Sequence, residues 1–179
     1  TARSLQSYEA AIAFYEEAAT RTSDRLTKVE AQLNQLSLLS PLNQKQAARE
    51  LIPQVQANLI SLSPTRRSIY ARANLAKNLI ELNQSASLKQ DRSYSKKLLA
   101  KTIAQARAIN DTRAESYGLG MLGHLAEQQH QLPAAKKHTE QALILASKIN
   151  ATDIAYQWQW QLGRILQEQG DIPGAIAAE

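Results

Sequence analysis

The 179-residue chain contains no cysteine, and it has only six glycines, five prolines and 5% aromatic residues. The missing cysteine excludes disulfides, thiol nucleophiles and thiolate metal sites within this chain. No apolar run approaches the roughly 20 residues that a membrane-spanning helix needs. β-Branched residues are scattered, so an extended sheet has little material. Ala, Leu, Gln, Lys, Arg and Glu dominate instead, which predicts a helical protein.

The two ends of the chain carry no recognisable start or stop. The first residue is Thr rather than Met, no signal peptide follows it, and the last segment, DIPGAIAAE, reads as the beginning of a helix. We therefore expect a piece of a longer protein. We also expect a cytoplasmic location.

The positive charge is concentrated in the middle of the chain. The net charge is +5, and residues 64–113 hold eleven Lys and Arg against three Asp and Glu. Such a region could attract nucleic acid or an acidic partner. The interpretation that we prefer is a solvated surface with surplus lysine, since no stacking aromatic residues are interleaved with it. Nucleic-acid binding through 64–113 is therefore the function that we favour least.

The second half of the chain repeats with a period of 40 residues. Without any gap, AINDTRAESYGLGMLGHLAEQQHQLPAA (108–135) aligns with KINATDIAYQWQWQLGRILQEQGDIPGA (148–175). The identical pairs include Ile109 and Ile149, Asn110 and Asn150, Leu122 and Leu162, Gly123 and Gly163, Gln129 and Gln169, Pro133 and Pro173, and Ala135 and Ala175. Glycine inside a helix costs about 1 kcal/mol relative to alanine, which is acceptable where a neighbouring helix approaches closely. The spacing therefore predicts pairs of antiparallel helices that pack through small residues.

These residues resemble a tetratricopeptide repeat, which has Leu-Gly in helix A, a turn, and Ala in helix B. The chain departs from that pattern in some places. The expected aromatic residues are replaced by Leu119 and Gln159 before the Leu-Gly pair and by Ala126 and Leu166 after it, and the period is 40 rather than 34. The resemblance implies an all-α superhelix, or solenoid, of about nine antiparallel-paired helices.

The first half of the chain continues the helical pairing with a weaker match. The predicted helix pairs cover approximately residues 22–62, 64–109, 111–150 and 152–179, the last incomplete, and a helix over 4–21 precedes them. A polar connection, residues 83–91, separates the two helices of the second pair. Pro53 is predicted to bend the helix that contains it. An array cut at either end exposes an apolar face, so self-association through the array ends is also expected.

The sequence offers little support for catalysis. The three histidines His124, His130 and His138 do not share one helix face, and no carboxylate cluster completes a metal-ligand set. The segment SYGLG (116–120) looks like a phosphate-binding loop, but it lacks the preceding strand and the lysine. We interpret its glycines as packing sites. No enzyme activity, metal or cofactor is expected.

The tetratricopeptide resemblance places the binding residues on helix A, along the concave groove. The groove residues that it implies are Tyr70, Lys77, Tyr117, His124, Glu127, Gln157, Trp160, Arg164 and Gln167. Lys77, His124 and Arg164 share one repeat position and form a line of cations that could bind an acidic peptide. The lysine and asparagine of the chaperone-tail carboxylate clamp are missing from their positions. Ordinary solvated groove residues are the alternative.

The tryptophans of YQWQWQLG (156–163) are predicted to have different roles. Their alternation is typical of a strand, but the 40-residue register puts them on helix A. Trp158 then aligns with Leu162 and Ile165 in the core. Trp160 points about 200° away, beside Arg164, and is our strongest candidate for a contact residue.

The array also resembles those that precede CHAT domains, the caspase-like protease modules of bacterial multidomain proteins. The resemblance rests on the two blocks INDTRAESYGLGMLGHLAEQQ and INATDIAYQWQWQLGRILQEQG. It implies a non-catalytic protein–protein interaction scaffold that binds a peptide or partner domain and regulates an attached protease. The alternative is a structural or oligomerising segment whose groove is filled by its own chain or by a second copy.

Overall fold

The computed structural model describes residues 2–83 and 89–178, which contain nine α-helices and no strand. The helices are α1 (Ala2–Arg21), α2 (Arg25–Leu39), α3 (Lys45–Ile60), α4 (Arg66–Asn83), α5 (Lys89–Ala108), α6 (Thr112–Glu127), α7 (Leu132–Lys148), α8 (Thr152–Glu168) and α9 (Ile172–Ala178). The predicted all-α class is confirmed. The chain divides into two compact units, Thr1–Ala86 and Ser87–Glu179.

The predicted polar connection 83–91 lies largely outside the described residues, and α5 already begins at Lys89. Pro53 lies inside α3 with its side chain exposed. The bend expected there remains a prediction. None of the helices in the described ranges combines the length and the hydropathy of a membrane-spanning segment.

The first unit packs α1 against α2, and α2 against both α3 and α4. Its core comes from apolar residues spaced three or four apart on each helix, the period that places side chains on one face. Fully buried members are Val29, Leu36, Leu39, Val55, Ile69, Leu75 and Leu79. The unit therefore has an apolar core of its own.

A buried arginine closes the end of α3 in the first unit. Arg72 is 2% exposed and donates hydrogen bonds to the carbonyls of Leu59 (3.3 Å) and Leu62 (2.7 Å). The last carbonyls of a helix have no partner within the helix, and a cation at this end also complements the helix dipole. This arginine of the basic middle is therefore structural.

The second unit repeats its turns with the 40-residue period. The backbone adopts a left-handed conformation at Asn110 (φ 55°) and Asn150 (φ 53°), and again at His130 (φ 54°) and Gly170 (φ 81°). The hydrogen bonds repeat as well: the N–H after each of these residues donates to a carbonyl five positions back, at 2.8 to 3.0 Å. Both features define the helix-ending Schellman arrangement. The repeat seen in the sequence is thus a repeat of backbone geometry.

Glycines on α6 allow the neighbouring helices to approach closely. A Cβ atom added to Gly118 would lie 2.8 Å from Ile103 of α5. One added to Gly120 would lie within 3.0 Å of three ring atoms of Trp158 on α8, and one added to Gly123 would collide with Thr139 of α7. These contacts confirm that the SYGLG glycines serve packing.

Candidate functional site

In the second unit, buried hydrogen bonds of two α8 side chains, Trp158 and Gln161, connect α8 to α6 and α7. Trp158 is 0% exposed, and its Nε1 donates to Ser116 Oγ at 3.1 Å. Gln161 Nε2 donates to the carbonyl of Gly120 (3.0 Å) and to Thr139 Oγ1 (2.7 Å). The indole of Trp158 and the amide nitrogen of Gln161 therefore both have partners, which fixes the rotation of α8. The prediction that Trp158 is a core residue is confirmed.

The α6–α8 pair also brings together three of the predicted groove residues. Arg164 donates two hydrogen bonds to Glu127, Nε to Oε1 and Nη2 to Oε2, both at 3.0 Å. His124 Nδ1 lies 3.2 Å from Oε2 of the same carboxylate. The side chain of Glu127 is only 10% exposed, whereas that of Arg164 is 39% exposed. Two of the three predicted cations are thus already bound to a carboxylate of this chain.

The charge of Glu127 is stabilised by its two partners. Burial by itself would raise the pKa of this carboxyl, but hydrogen bonds from His124 and Arg164 outweigh burial and hold the pKa below its usual value of 4.5. Glu127 therefore stays ionised at neutral pH. A ligand carboxylate at this point would have to compete with an internal one.

The other predicted groove residues of the second unit have two different environments. Tyr117 is half-buried, and its ring centroid lies 6.0 Å from that of Trp158. Gln157, Trp160 and Gln167 are exposed on α8, with Trp160 60% exposed. The structure therefore leaves these three side chains accessible. Their role in binding stays a prediction.

Trp160 has a neighbour that the groove prediction missed. Tyr156 lies one turn before Trp160 on α8 and is 70% exposed. In the 40-residue register, these two aromatic residues occupy the positions of Ser116 and Gly120, which contact Trp158. The register by itself could have shown this, because it aligns Tyr156 with a residue that faces the next helix A.

In the first unit, α2 and α4 border a polar cleft of about 180 Å³. Its lining residues are Leu33, Asn34, Ser37, Asn74, Lys77, Asn78 and Glu81. Lys77 was predicted as a groove residue and lies here, at 3.9 Å from Glu81. Tyr70 lies earlier on α4, is half-buried, and does not line the cleft. The cleft therefore contains one predicted residue and several that sequence reasoning missed.

The asparagines of this cleft could have been noticed in the sequence. Asn74 and Asn78 are spaced one turn apart on α4, and Asn34 on α2 lines the same cleft. Asn78 is only 4% exposed, and its Nδ2 donates to the carbonyl of Asn74 at 3.0 Å. A buried carboxamide such as that of Asn78 is an unusual feature, because burying it without a partner is costly, whereas Asn34 and Asn74 are exposed.

Much of the basic charge of residues 64–113 is paired inside the chain. Arg67 binds Glu30 of the first unit through two hydrogen bonds of 3.0 and 2.6 Å. In the second unit, Arg107 binds Glu115 at 2.7 Å, and Arg113 pairs with Asp153. The argument for a continuous nucleic-acid surface is weakened accordingly. Among the described residues, the exposed lysines of α5 without an ion pair are Lys96, Lys97 and Lys101.

The helix pairs, the repeated turns and the close glycine contacts together define the class of fold: an all-α, tetratricopeptide-like helical repeat. Solved structures of this class resemble the chain over nearly its whole length. The crystal structure of BtubC (BKLC) from P. vanneervenii matches with a TM-score of 0.73 and 14% identity, over 98% of this chain and 72% of that one.

Two Rap proteins give similar matches. A Rap protein complexed with competence and sporulation factor matches with a TM-score of 0.75 and 17% identity over 97% of this chain, and the apo form of RapI with 0.69 and 13% over 97%. The chain covers 47% of each Rap protein, which is about half their length. No protein-family model and no curated protein matches the sequence. At these identities the likeness defines the fold.

Proposed function

We propose that this chain is a non-catalytic protein-interaction module that binds an extended peptide segment in the cleft between α2 and α4. The carboxamides of that cleft carry the proposal. A carboxamide offers a donor and an acceptor in one plane, which matches the N–H and C=O groups of an extended backbone. The cleft, at about 180 Å³, is smaller than the 300–1,000 Å³ typical of small-molecule sites, so it has room for part of a peptide, such as a side chain, rather than for a whole cofactor.

The charges of the cleft support a peptide ligand that is not strongly charged. Lys77 and Glu81 stand one turn apart with exposed side chains and neutralise each other at 3.9 Å. Leu33 adds an apolar surface for a ligand side chain. Among the structural neighbours, the Rap protein complexed with competence and sporulation factor supports a binding role for the fold.

Selection of peptides from a random phage-displayed library tests this proposal. Peptides selected against the chain should bind the Asn34→Ala and Lys77→Ala variants about fivefold more weakly, as the loss of one hydrogen bond worth about 1 kcal/mol requires. Lys97→Ala is the control, because Lys97 is exposed on α5 and lies outside the cleft. Equal binding to all three variants, measured by fluorescence polarisation, would contradict the proposal.

The predicted groove of α6 and α8 is a second part of the interaction proposal. Trp160 and Gln157 are exposed there and could contact a ligand, whereas Arg164 already binds Glu127. We expect Trp160→Ala to weaken a peptide bound at this face and to leave one bound between α2 and α4 unaffected. The same polarisation assay distinguishes the two sites.

The exposed apolar residues of the second unit favour self-association as a second candidate function. Ile172 and Ile176 are 51% and 71% exposed on α9, and Tyr156 is 70% exposed on α8. Light scattering across a concentration series should then show a dimer that Ile176→Lys abolishes. A monomer at all concentrations would contradict this candidate.

The resemblance to arrays that precede CHAT domains suggests what such a module controls. We propose that partner binding regulates an attached caspase-like protease domain. The neighbouring sequence in the same open reading frame tests this, because a caspase-like domain requires a catalytic histidine and cysteine. If the frame encodes no such domain, the regulatory part of the proposal is wrong, and the binding part is unaffected.

A further inference from the structure

The side of α6 that α8 covers is a stripe of residues along the helix. Its members are spaced four, three and four residues apart, which places them on one face of the helix. They are Ser116, Gly120, Gly123 and Glu127. Each of them lies against a side chain of α8. On α6 this stripe is therefore the place where the next helix A of the array packs.

The 40-residue register continues the same stripe on α8. Its members there, the α8 stripe, are Tyr156, Trp160, Gly163 and Gln167. Tyr156, Trp160 and Gln167 are exposed, whereas Gly163 is buried. Exposed aromatic residues are typical of protein contact sites. Because a helix covers the equivalent residues of α6, the α8 stripe is a surface on which a further helix can pack.

The sizes of the residues determine which helix fits the α8 stripe. On α6 the residues of the stripe are small and receive the indole of Trp158. On α8 the stripe itself carries the aromatic rings, so a helix that packs equally closely needs a small residue in the place of Trp158. In the 40-residue register, α6 has Gly118 in that place. Gly118 faces the preceding helix, because an added Cβ would lie 2.8 Å from Ile103 of α5.

The charge at the end of the stripe differs in the same way. Glu127 on α6 binds Arg164 of α8, whereas its counterpart on α8 is the uncharged and exposed Gln167. A helix bound to α8 therefore needs no arginine six residues after its small residue. In that place α6 has His124. The face of α6 that contains Gly118 thus matches the α8 stripe in size and in charge.

A second copy of the chain does not offer such a face in its second unit. Gly118 of α6 is buried against α5, and Trp158 of α8 is fully buried against α6. The faces that would have to pack are therefore already covered within each molecule. A helix from a different protein fits the α8 stripe better.

We propose that the α8 stripe binds an α-helix of a different protein, which packs on α8 as α8 packs on α6. The bound helix places a glycine, alanine or serine against Tyr156 and Trp160, in the place that Trp158 occupies on α6. This inference rests on the proposed role of the chain as an interaction module. It concerns a different surface from the α2–α4 cleft, and a helical ligand instead of an extended one.

A helical peptide with the sequence of α6, residues 112–127, is the probe for this proposal, and the whole chain is the receptor. A lactam bridge between positions 116 and 120, on the side opposite to Gly118, keeps the peptide helical. A second probe carries Gly118→Trp and therefore has an indole in the place of Trp158. Fluorescence anisotropy of the labelled probes measures both affinities. We expect the glycine probe to bind about tenfold more tightly than the tryptophan probe, because the second indole would collide with Trp160.

Exchanging the large and the small residue tests the contact itself. Trp160→Gly gives α8 the residue that α6 has at Gly120. We expect this variant to bind the glycine probe about tenfold more weakly than wild type, because the aromatic contact is lost. The tryptophan probe should bind the same variant about tenfold more tightly than wild type. Since a misfolded variant could not gain affinity for one probe, this reversal separates binding from folding.

Ile60→Ala is the control, because Ile60 is 76% exposed on α3 of the other unit, and it should leave both affinities unchanged. A glycine probe that shows no saturable binding, or that binds wild type and Trp160→Gly equally, would overturn the proposal. A dimer in light scattering that Trp160→Gly dissociates would also overturn it, because a second copy would then cover the α8 stripe. Failure here leaves the effect of Asn34→Ala on peptides selected for the α2–α4 cleft unchanged, so the two proposals can fail separately.

Discussion

Replacing Gly120 by alanine tests the packing of α8 on α6. In an open helix this change should stabilise the protein by about 1 kcal/mol, because alanine is the better helix former. Here the new methyl group would lie within 3.0 Å of three ring atoms of Trp158, which is 0% exposed. Ordinary carbon contacts are about 3.5–4.0 Å, so the indole must move.

The expected magnitude follows from these opposing effects. Overpacking a core costs about 1–3 kcal/mol. Moving the ring also weakens the hydrogen bond from Trp158 Nε1 to Ser116 Oγ, worth about 1 kcal/mol. After subtracting the gain in helix propensity, we expect Gly120→Ala to lower the free energy of unfolding by about 2 kcal/mol.

Urea denaturation measures this change, with circular dichroism for the helix content and fluorescence for the indole. A Trp160→Phe background leaves Trp158 as the sole tryptophan, since the chain has two. Ala104→Gly, at an exposed position of α5, measures the helix-propensity difference without a neighbouring side chain. If Gly120→Ala were neutral or stabilising, the close contact of Trp158 with α6 would be refuted.

A double-mutant cycle isolates the contact itself. In a Trp158→Leu background the ring is gone, so Gly120→Ala should become stabilising by about 1 kcal/mol. The sign of the alanine effect should therefore reverse between the two backgrounds. An identical effect in both would show that the cost does not come from the indole.

Three further predictions concern the helix caps, a left-handed turn residue and the buried carboxylate. Asp111 caps α6 by accepting from the N–H of Ala114 (3.0 Å), whereas Ala151 holds the same place on α8, with φ −83° and ψ 73° against −90° and 83°. Asp111→Ala should therefore lower the free energy of unfolding, measured by urea denaturation, by about 1 kcal/mol, and Ala151→Asp should raise it by a similar amount. If Ala151→Asp did not stabilise the protein, the two cap positions would not be equivalent. His130→Gly should raise Tm, because a left-handed non-glycine residue costs about 1–2 kcal/mol, which is more than the exposed contact of His130 Nδ1 with Glu168 (2.9 Å) contributes. An unchanged Tm would mean that the backbone of His130 is not strained by more than this contact contributes. Folding lowers the pKa of Glu127, so the ionised carboxylate should stabilise the protein fully above pH 4.5 and lose this effect as the pH falls through the folded-state pKa. In acid denaturation, the stabilities of wild type and Glu127→Gln should therefore converge at low pH. A difference that persists there would exclude this linkage.

The sequence predicted those parts of the fold in which the backbone conformation or a close contact at one position allows only a few residue types. Left-handed turn positions favour Asn or Gly, and close helix contacts favour Gly, so Asn110, Asn150 and Gly170 mark the repeat in the sequence. The helical period also predicted different environments for Trp158 and Trp160, since side chains two positions apart on a helix point about 200° away from each other. Exposure of Trp160 followed directly from that local rule.

The parts that the sequence did not predict depend on pairs of side chains from different helices. Glu127 and Arg164 are 37 residues apart, and both were placed in the groove as separate ligand contacts. Their mutual orientation depends on the rotation of α8, which the buried hydrogen bonds of Gln161 fix. The α2–α4 cleft was missed because α2 is too different from the later repeats to be aligned with them.

Because glycines on α6 face a tryptophan on α8, the two repeats of the second unit cannot replace each other. Gly118 and Gly120 on α6 align with Trp158 and Trp160 on α8 in the 40-residue register. A chain engineered with two successive copies of 112–151 would face glycine with glycine and leave a void. Two successive copies of the α8 sequence would place one indole against another. The two repeats that begin with α6 and α8 are therefore not interchangeable. A designed longer array would have to alternate them.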